Sequence, residues 1–401
     1  MKLYNILIFT SIIIYLYLNQ ITQIKLIRKI RNFESKTIIS ENEIKEFLTI
    51  NKENILLDIK KYNRTNFPDI SIIITVYNQA NCIHKSLRSV QNQSLKNIEI
   101  IIIDDCSMDN SIEIIEYFQK EDNRIILIKH DINEGKIKTR SEGIRIAKGK
   151  YITIIDGDDE LIHRDILNNS LHIANLGNLD IVEFQLSEYR NRTLFYIHND
   201  FKINRIIFQP ELSKKFIKIK KEDTDFAIIN RSICAKLIKN NLFKKIILFI
   251  GPKYTEDYLL IYEDTIMAFS LYKFANSYYL MNQKGYYYSR DEYQNKNIPY
   301  KNKKCKLNEK KSSESGAIKF LEFLFDKTKN NKKDKLMLFH EIMSINYYLN
   351  LYNYINNNFG FIYFLFDNMI KSGFLSYKQK KKIIELKINL KEKEKSIKNI
   401  I

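Results

Sequence analysis

The stretch Tyr151-Ile152-Thr153-Ile154-Ile155-Asp156-Gly157-Asp158-Asp159 decides how this chain is read. A β-branched apolar run of that length has the composition of a strand buried on both faces. Strands of open α/β sheets end at the edge where ligands bind. Clustered carboxylates at such an edge offer hard oxygen ligands, which suit Mg²⁺ or Mn²⁺ together with phosphate oxygens. The pattern points to chemistry on a nucleotide or a diphosphate. A solvated acidic turn is the plain alternative.

Upstream, the same rhythm repeats. Ile70–Val76 is a second β-branched run, and Ile83, Leu87 and Val90 follow at helical spacing. Ile98–Ile103 is another buried strand, ending in Asp104-Asp105-Cys106-Ser107. Ile112, Ile115 and Phe118 mark a helix, Ile125–Ile128 a strand, and Ile137, Ser141, Ile144 and Ala147 a helix that Gly149 is expected to stop. Alternation of this kind builds an α/β unit with a largely parallel sheet. Right-handed crossovers put all its strand ends on one edge, so Asp104, Asp105 and the Asp156–Asp159 cluster can converge.

The run SIIITVYNQANCIHKSLRSVQNQSLKNIEIIIIDDCSMDNS (71–111), followed by NEGKIKTRSEGIRIAKGKYITIIDGDDEL (133–161), resembles the family-2 glycosyltransferases of the GT-A fold. The signals come in the family's order: Val76-Tyr77-Asn78, Asp104-Asp105-Cys106-Ser107, Asn133-Glu134-Gly135 with Arg140 downstream, then Asp156-Gly157-Asp158-Asp159. One such element is cheap; four in order displace the acidic-turn reading. Asn230–Lys245, then Ile261-Tyr262-Glu263-Asp264-Thr265, then Gly285-Tyr286-Tyr287-Tyr288-Ser289-Arg290 resemble later elements of the same family. The likeness covers residues 68–292 and then fades into a helical tail.

The resemblance implies an α/β fold of the GT-A type, Rossmann-like, with a mixed and mostly parallel sheet flanked by helices. It implies transfer of a sugar from a nucleotide-diphosphate sugar donor to an acceptor hydroxyl, metal-dependent and inverting, on a glycan, lipid or protein acceptor. Val76, Tyr77 and Asn78 would seat the base and ribose, with simple strand-end packing as the alternative. Asp105 would accept hydrogen bonds from the base or ribose; capping of the next helix is the competing use. Arg140 would pair with phosphate or with a site carboxylate. Asp156 would touch the ribose and a metal-bound water, and Asp158 would ligate Mn²⁺ or Mg²⁺ directly. Asp159 is expected to cap a helix over Leu161–Leu171. Asp264 is the candidate general base, at a helix start where an acid also favours the dipole. Glu256-Asp257 is a competing acidic pair, and the Tyr286–Tyr288 run is either strand packing or a sugar-stacking surface.

Composition supports a folded protein: 45% of the 401 residues are hydrophobic and 28% charged, the proportions of a globular chain. A net charge of +18 favours phosphate-bearing ligands or an anionic membrane surface. Nucleic acid is not expected, because zinc-ligand spacing, an aromatic-basic RNA motif and a basic recognition helix are all missing from the sequence. No G-x-x-x-x-G-K or G-x-G-x-x-G occurs, which removes ATPase and dinucleotide readings. The six histidines form no evident site; His163, nearest the acid cluster, reads as helix surface or rim. The four cysteines, Cys82, Cys106, Cys234 and Cys305, make no C-x-x-C and are expected as unbridged thiols.

Leu3–Leu18 is apolar but for Asn5, Thr10 and Ser11. As a helix it rises about 24 Å, against a bilayer core of about 30 Å, so residues 1–21 are expected to form a single-pass anchor without a cleavage site. Lys25, Arg28, Lys29 and Arg31 favour a cytoplasmic body by the positive-inside rule, whereas the sequons at Asn63 and Asn191 would fit a lumenal one. Residues 22–67 are expected as a stem, 68–300 as the catalytic domain, and 301–401 as a linker and helical extension. Two other readings stay open: a catalytically silent nucleotide- or sugar-binding protein, and a nucleotidyltransferase on a related sheet.

Overall fold

All seven side chains of β1 (Ile70–Val76) are buried, as are all seven of β2 (Ile98–Asp104). Such strands need cover on both faces, which a parallel sheet between helices supplies. The computed structural model describes residues 22–34, 67–190, 193–196, 206–209, 211, 217–219, 226–228, 232–256, 263–289, 316–327, 359–371 and 377–398. In it β3 (Ile125–Lys129) lies outside β2, and β4 (Tyr151–Asp156) lies on the other side of β1, all four parallel. Helices Ile83–Gln91, Ser111–Glu121 and Lys136–Ile146 link them in turn. Val76 stands opposite Asp104, and Thr75 opposite Asp156. The acidic strand ends therefore share one edge.

Beyond β4 the sheet becomes mixed. After β5 (Glu160–Leu161) and helix Ile166–Gly177 come β6 (Ile181–Arg190), β7 (Thr193–Tyr196) and β8 (Ile207–Phe208). A separate two-stranded sheet is formed by β9 (Ile217–Ile219) and β10 (Phe226–Ile228). β11 (Lys236–Lys239) then inserts between β4 and β6, antiparallel to both. β12 (Ser277–Tyr287) runs parallel to β6 and pairs antiparallel with β5 and β8. The expected parallel order thus holds for β1–β4, and the insertion of β11 ends it.

Gly149 has a different purpose from the one its position suggests. Helix Lys136–Ile146 already ends at Ala147, whose φ of −55° and ψ of 131° are extended. A Cβ at Gly149 would lie 2.4 Å from the Ser71 nitrogen and 2.7 Å from the Ile70 carbonyl carbon, both in the backbone of β1. Gly149→Ala is expected to lower unfolding free energy by about 3 kcal/mol, the upper end of overpacking, because backbone cannot swing aside. A denaturation midpoint equal to wild type would show that β1 yields freely.

The helix over residues 22–34 is packed onto the catalytic body. Ile30 is fully buried, Phe33 stacks on His172 at 4.3 Å, and Glu34 accepts hydrogen bonds from Tyr279 Oη (2.7 Å) and Asn282 N (3.0 Å). The first residues of the expected stem, 22–34, are thus helical and packed. The apolar run Leu3–Leu18, most of the stem, Asp257, Arg290 and residues 301–315 lie outside the described residues. Among the described residues no helix is long and apolar enough to cross a membrane.

On the opposite flank, Phe323 of helix Gly316–Lys327 meets Tyr254 and Phe269 edge-on at 5.2 and 5.9 Å. Asp326 accepts from Lys253 Nζ and Tyr254 Oη, each at 2.6 Å. Helices Phe359–Lys371 and Tyr377–Lys398 bury Leu365, Phe366, Met369, Ile383, Leu386 and Leu390. The described residues after 301 all lie in these three helices. Cys82 and Cys234 are free buried thiols, but Cys106 is disulfide-bonded, which corrects the expectation of unbridged cysteines. Spacing alone carries no trace of such a pairing.

Candidate active site

β4 delivers Asp156 to the sheet edge, and the chain turns at once: Gly157 N donates to Thr75 O (3.1 Å) and Asp159 N to Asp156 O (3.0 Å). The turn brings carboxylate oxygens of Asp156, Asp158 and Asp159 within 4.8 Å of one another. Their surroundings differ. Burial pushes the Asp156 carboxyl upward, but Lys136 and Arg140 outweigh it and hold it well below the usual range. Burial and then Asp156 push Asp158 up. Asp159, 1% exposed, is raised well above the carboxylate range by burial and then by Asp156 and Asp158.

Arg140 is the hub. It projects from helix Lys136–Ile146 and is fully buried, with Nη2 2.7 Å from Asp156 Oδ1 and Nη1 donating to Asp264 Oδ1. Glu263 Oε1 lies 3.9 Å from the same Nη1. Burial opposes the charge on Arg140, and Asp264 and Asp156 more than restore it. Lys136, one turn earlier, reaches Asp156 Oδ2 at 3.4 Å from a half-exposed position. Asp264 sits in the first turn of helix Glu263–Phe274 with its side chain 31% exposed. Burial, with Asp264 beside it, pushes the Glu263 carboxyl up to about 7.

Asp159 does not cap a helix. The next helix starts at Ile166, after Asp165. Asp159 instead accepts from Tyr286 Oη (2.7 Å) and Ser289 N (2.9 Å), and Tyr286 Oη accepts from Asp156 N (3.2 Å). Tyr286 is fully buried, so it fastens β12 to the acidic turn and offers no ring to a sugar.

At the end of β1, Val76 O accepts from Asp105 N at 2.8 Å. Asn78 adopts a left-handed φ of 53°, donates from its backbone to Ser107 Oγ (2.9 Å) and accepts from Met108 N (2.8 Å), with Tyr77 half-buried between. Turn and helix-start duties fall to Asp104, which accepts from Ser107 N, and to Asp109, which accepts from Ser111 N and Ala80 N. Asp105 takes neither. Buried at the edge, it accepts from Glu134 N (2.8 Å), Gly135 N (2.9 Å) and His130 Nδ1 (2.8 Å), so it organises the loop before helix Lys136–Ile146.

Two buried thiols border the acid cluster. Burial and then Asp158 push Cys82 up to about 12, and burial and then Asp156 raise Cys234 well above the thiol range. Both are held protonated, which leaves them without nucleophilic use. A divalent ion fits the donor set of the turn. Three hard carboxylates face one another with mutual repulsion that a cation relieves, and Asp158 has no cationic side chain holding it in the described structure.

The sequence profile of glycosyl transferase family 2 matches residues 71–238, which span β1 to β11. An uncharacterized glycosyltransferase of Haemophilus influenzae is 33% identical over 194 residues, 44% of this chain and 76% of its own length. The chain belongs to glycosyltransferase family 2. The UDP-Glc:α-D-GlcNAc-diphosphoundecaprenol β-1,3-glucosyltransferase WfaP of Escherichia coli is 37% identical over 141 residues, 35% of this chain and 51% of that one. Staphylococcus aureus TarS 1–349, crystallised with UDP-GlcNAc, shares the fold with a TM-score of 0.52 at 16% identity, over 75% of this chain and 83% of that one.

In this glycosyltransferase the structure gathers Asp156, Asp158, Arg140 and Asp264 into one acidic-basic centre, with Val76, Tyr77, Asn78 and Asp105 along the adjoining strand ends. Arg140 meets carboxylates, one of the two partners its position allowed. Lys136 and His130 were not singled out by sequence, whereas Glu263 and Tyr286 were, as part of an acidic pair and of a tyrosine run. Lys136 was legible in principle, since it precedes Arg140 by four residues and shares its helix face.

Proposed function

We propose that this enzyme transfers a sugar, with inversion, from a nucleoside-diphosphate sugar to an acceptor hydroxyl at the centre around Arg140. The observation that carries this reading is the single guanidinium that joins Asp156, at the end of β4, to Asp264, at the start of a distant helix. A phosphate-side carboxylate and a candidate base are thus held next to each other. Val76, Tyr77, Asn78 and Asp105 bind the nucleoside, while Arg140 and Lys136 supply positive charge for the diphosphate. Asp158, with Asp156, would hold Mn²⁺ or Mg²⁺, and such an ion when bound offsets charge on the departing nucleoside diphosphate. Asp264, partly exposed, faces the acceptor side and takes the hydroxyl proton late, as that oxygen bonds to the sugar carbon and becomes acidic. Direct attack from the face opposite the diphosphate inverts the sugar.

The UDP-GlcNAc in the TarS crystal and the WfaP name, with its UDP-Glc donor and diphospholipid acceptor, support a nucleotide sugar and favour a lipid-linked or glycan acceptor. Leu3–Leu18 is proposed as a single-pass anchor, with Lys25, Arg28, Lys29 and Arg31 favouring a cytoplasmic body. The test is a donor panel on the full chain in detergent, following nucleoside diphosphate release. One donor is expected to turn over with Mn²⁺ or Mg²⁺ and to stop with a chelator. Binding without turnover of any donor would favour a silent binding protein, and pyrophosphate release would favour a nucleotidyltransferase.

A further inference from the structure

His130, directly after β3, has a carboxylate on each ring nitrogen. Nδ1 lies 2.8 Å from Asp105 Oδ1, and Nε2 lies 2.9 Å from Glu142 Oε2. A neutral imidazole carries one N–H and one lone pair, so either tautomer would aim a lone pair at a carboxylate oxygen. Only the imidazolium donates to both. The charge balance agrees: the Asp105 hydrogen bond, working against burial and aided by Glu142, pushes His130 up to about 9. Neighbouring charges have other partners, with Lys129 paired to Glu116 at 2.5 Å and Glu134 to Lys138 at 2.8 Å.

Asp105 also leaves something over. A carboxylate offers about four lone-pair positions. Oδ1 receives His130 Nδ1 and Glu134 N, and Oδ2 receives Gly135 N. The count leaves one position, on Oδ2. We propose that His130 is a positioning residue for nucleotide recognition, a cation clamped between Asp105 and Glu142 that keeps this Oδ2 position turned to the ring N–H of a uracil- or guanine-type base. The idea rests on Asp105 being a nucleoside contact, as set out above. Glu142 lies on the helix that carries Lys136 and Arg140, so the clamp also ties the base end of the donor site to its phosphate end.

Calorimetric binding of UDP and GDP to the full chain with Mn²⁺ tests it, comparing wild type, His130→Gln and Glu142→Gln. Near neutral pH, His130→Gln is expected to weaken the preferred nucleotide about tenfold, the size of one charge-assisted hydrogen bond. The wild-type to variant ratio should fall toward one as pH rises through about 9. The base's own N–H also ionises in alkali, equally for both proteins, so the ratio is the readout. Glu142→Gln removes one of the two carboxylates and should move the fall to lower pH. Imidazole NMR reads the same titration without nucleotide.

With the folded value raised above the unfolded value near 6.5, the stability from this clamp is fully present below about pH 6.5 and is lost as pH rises through about 9. A pH-independent ratio, equal affinities near neutral pH, or an NMR titration near 6.5 would overturn the proposal. Were His130→Gln not to fold, a Glu142→Gln profile identical to wild type would overturn it too. Failure of wild type to bind either nucleotide, with the imidazolium intact by NMR, would instead sink the donor reading of Asp105, and this proposal with it.

Discussion

Asp158→Ala is expected to reduce turnover by about 1,000-fold or more while leaving the fold intact. The three acids of the turn are engaged to different degrees. Asp156 is held by Arg140 and Lys136, and Asp159 by Tyr286 and the backbone of Ser289. Asp158 has no such side-chain partner, and the like-charged Asp156 acts on it more strongly than Lys136 or Arg140. Removing it deletes a repulsion along with a ligand, so the melting temperature should hold or rise slightly. What should vanish is the upward shift in melting temperature that Mn²⁺ with a nucleoside diphosphate gives the wild type. Normal donor consumption by the variant would remove the metal assignment.

Asp264→Asn should divide binding from chemistry. Asn keeps the size of the side chain and an oxygen for Arg140, and the guanidinium retains Asp156 and Glu263 as anionic neighbours. Nucleoside diphosphate affinity should therefore stay within about twofold, below the size of one net hydrogen bond. Sugar transfer should fall about 10²–10⁴-fold, the range for losing a positioned general base. If the variant transfers sugar at the normal rate, the base lies elsewhere, and Asp257 is the next choice.

The first four strands were readable because each is a β-branched run with no polar face, a pattern that only a doubly covered sheet accommodates. Their acidic ends were readable for the same reason: handedness fixes the edge once the strands are known. Asp159 shows where local reading stops. An acid shortly before an apolar helical pattern looks like a cap, but its partners are Tyr286 and Ser289, far along the chain. His130 is similar, with partners 25 and 12 residues away, and nothing about a histidine after a strand announces two carboxylates. Gly149 was rightly picked out as special but for a helix-end reason, since close approach of β1 is invisible until strands are laid side by side. The docking of residues 22–34 was not read from sequence, because their basic residues were weighed only for membrane orientation although Leu26, Ile27, Ile30 and Phe33 form an inward stripe.

That docked helix has a mechanical consequence. With Ile30 sealed and Glu34 hydrogen-bonded to β12, whatever precedes Thr22 is joined to the reaction centre by a handle, not a leash. In sequence, only residues 19–21 separate the proposed anchor Leu3–Leu18 from that helix. The catalytic body would then ride at a fixed height and tilt, and hydroxyls carried in a thin layer above the lipid would be the ones within its reach.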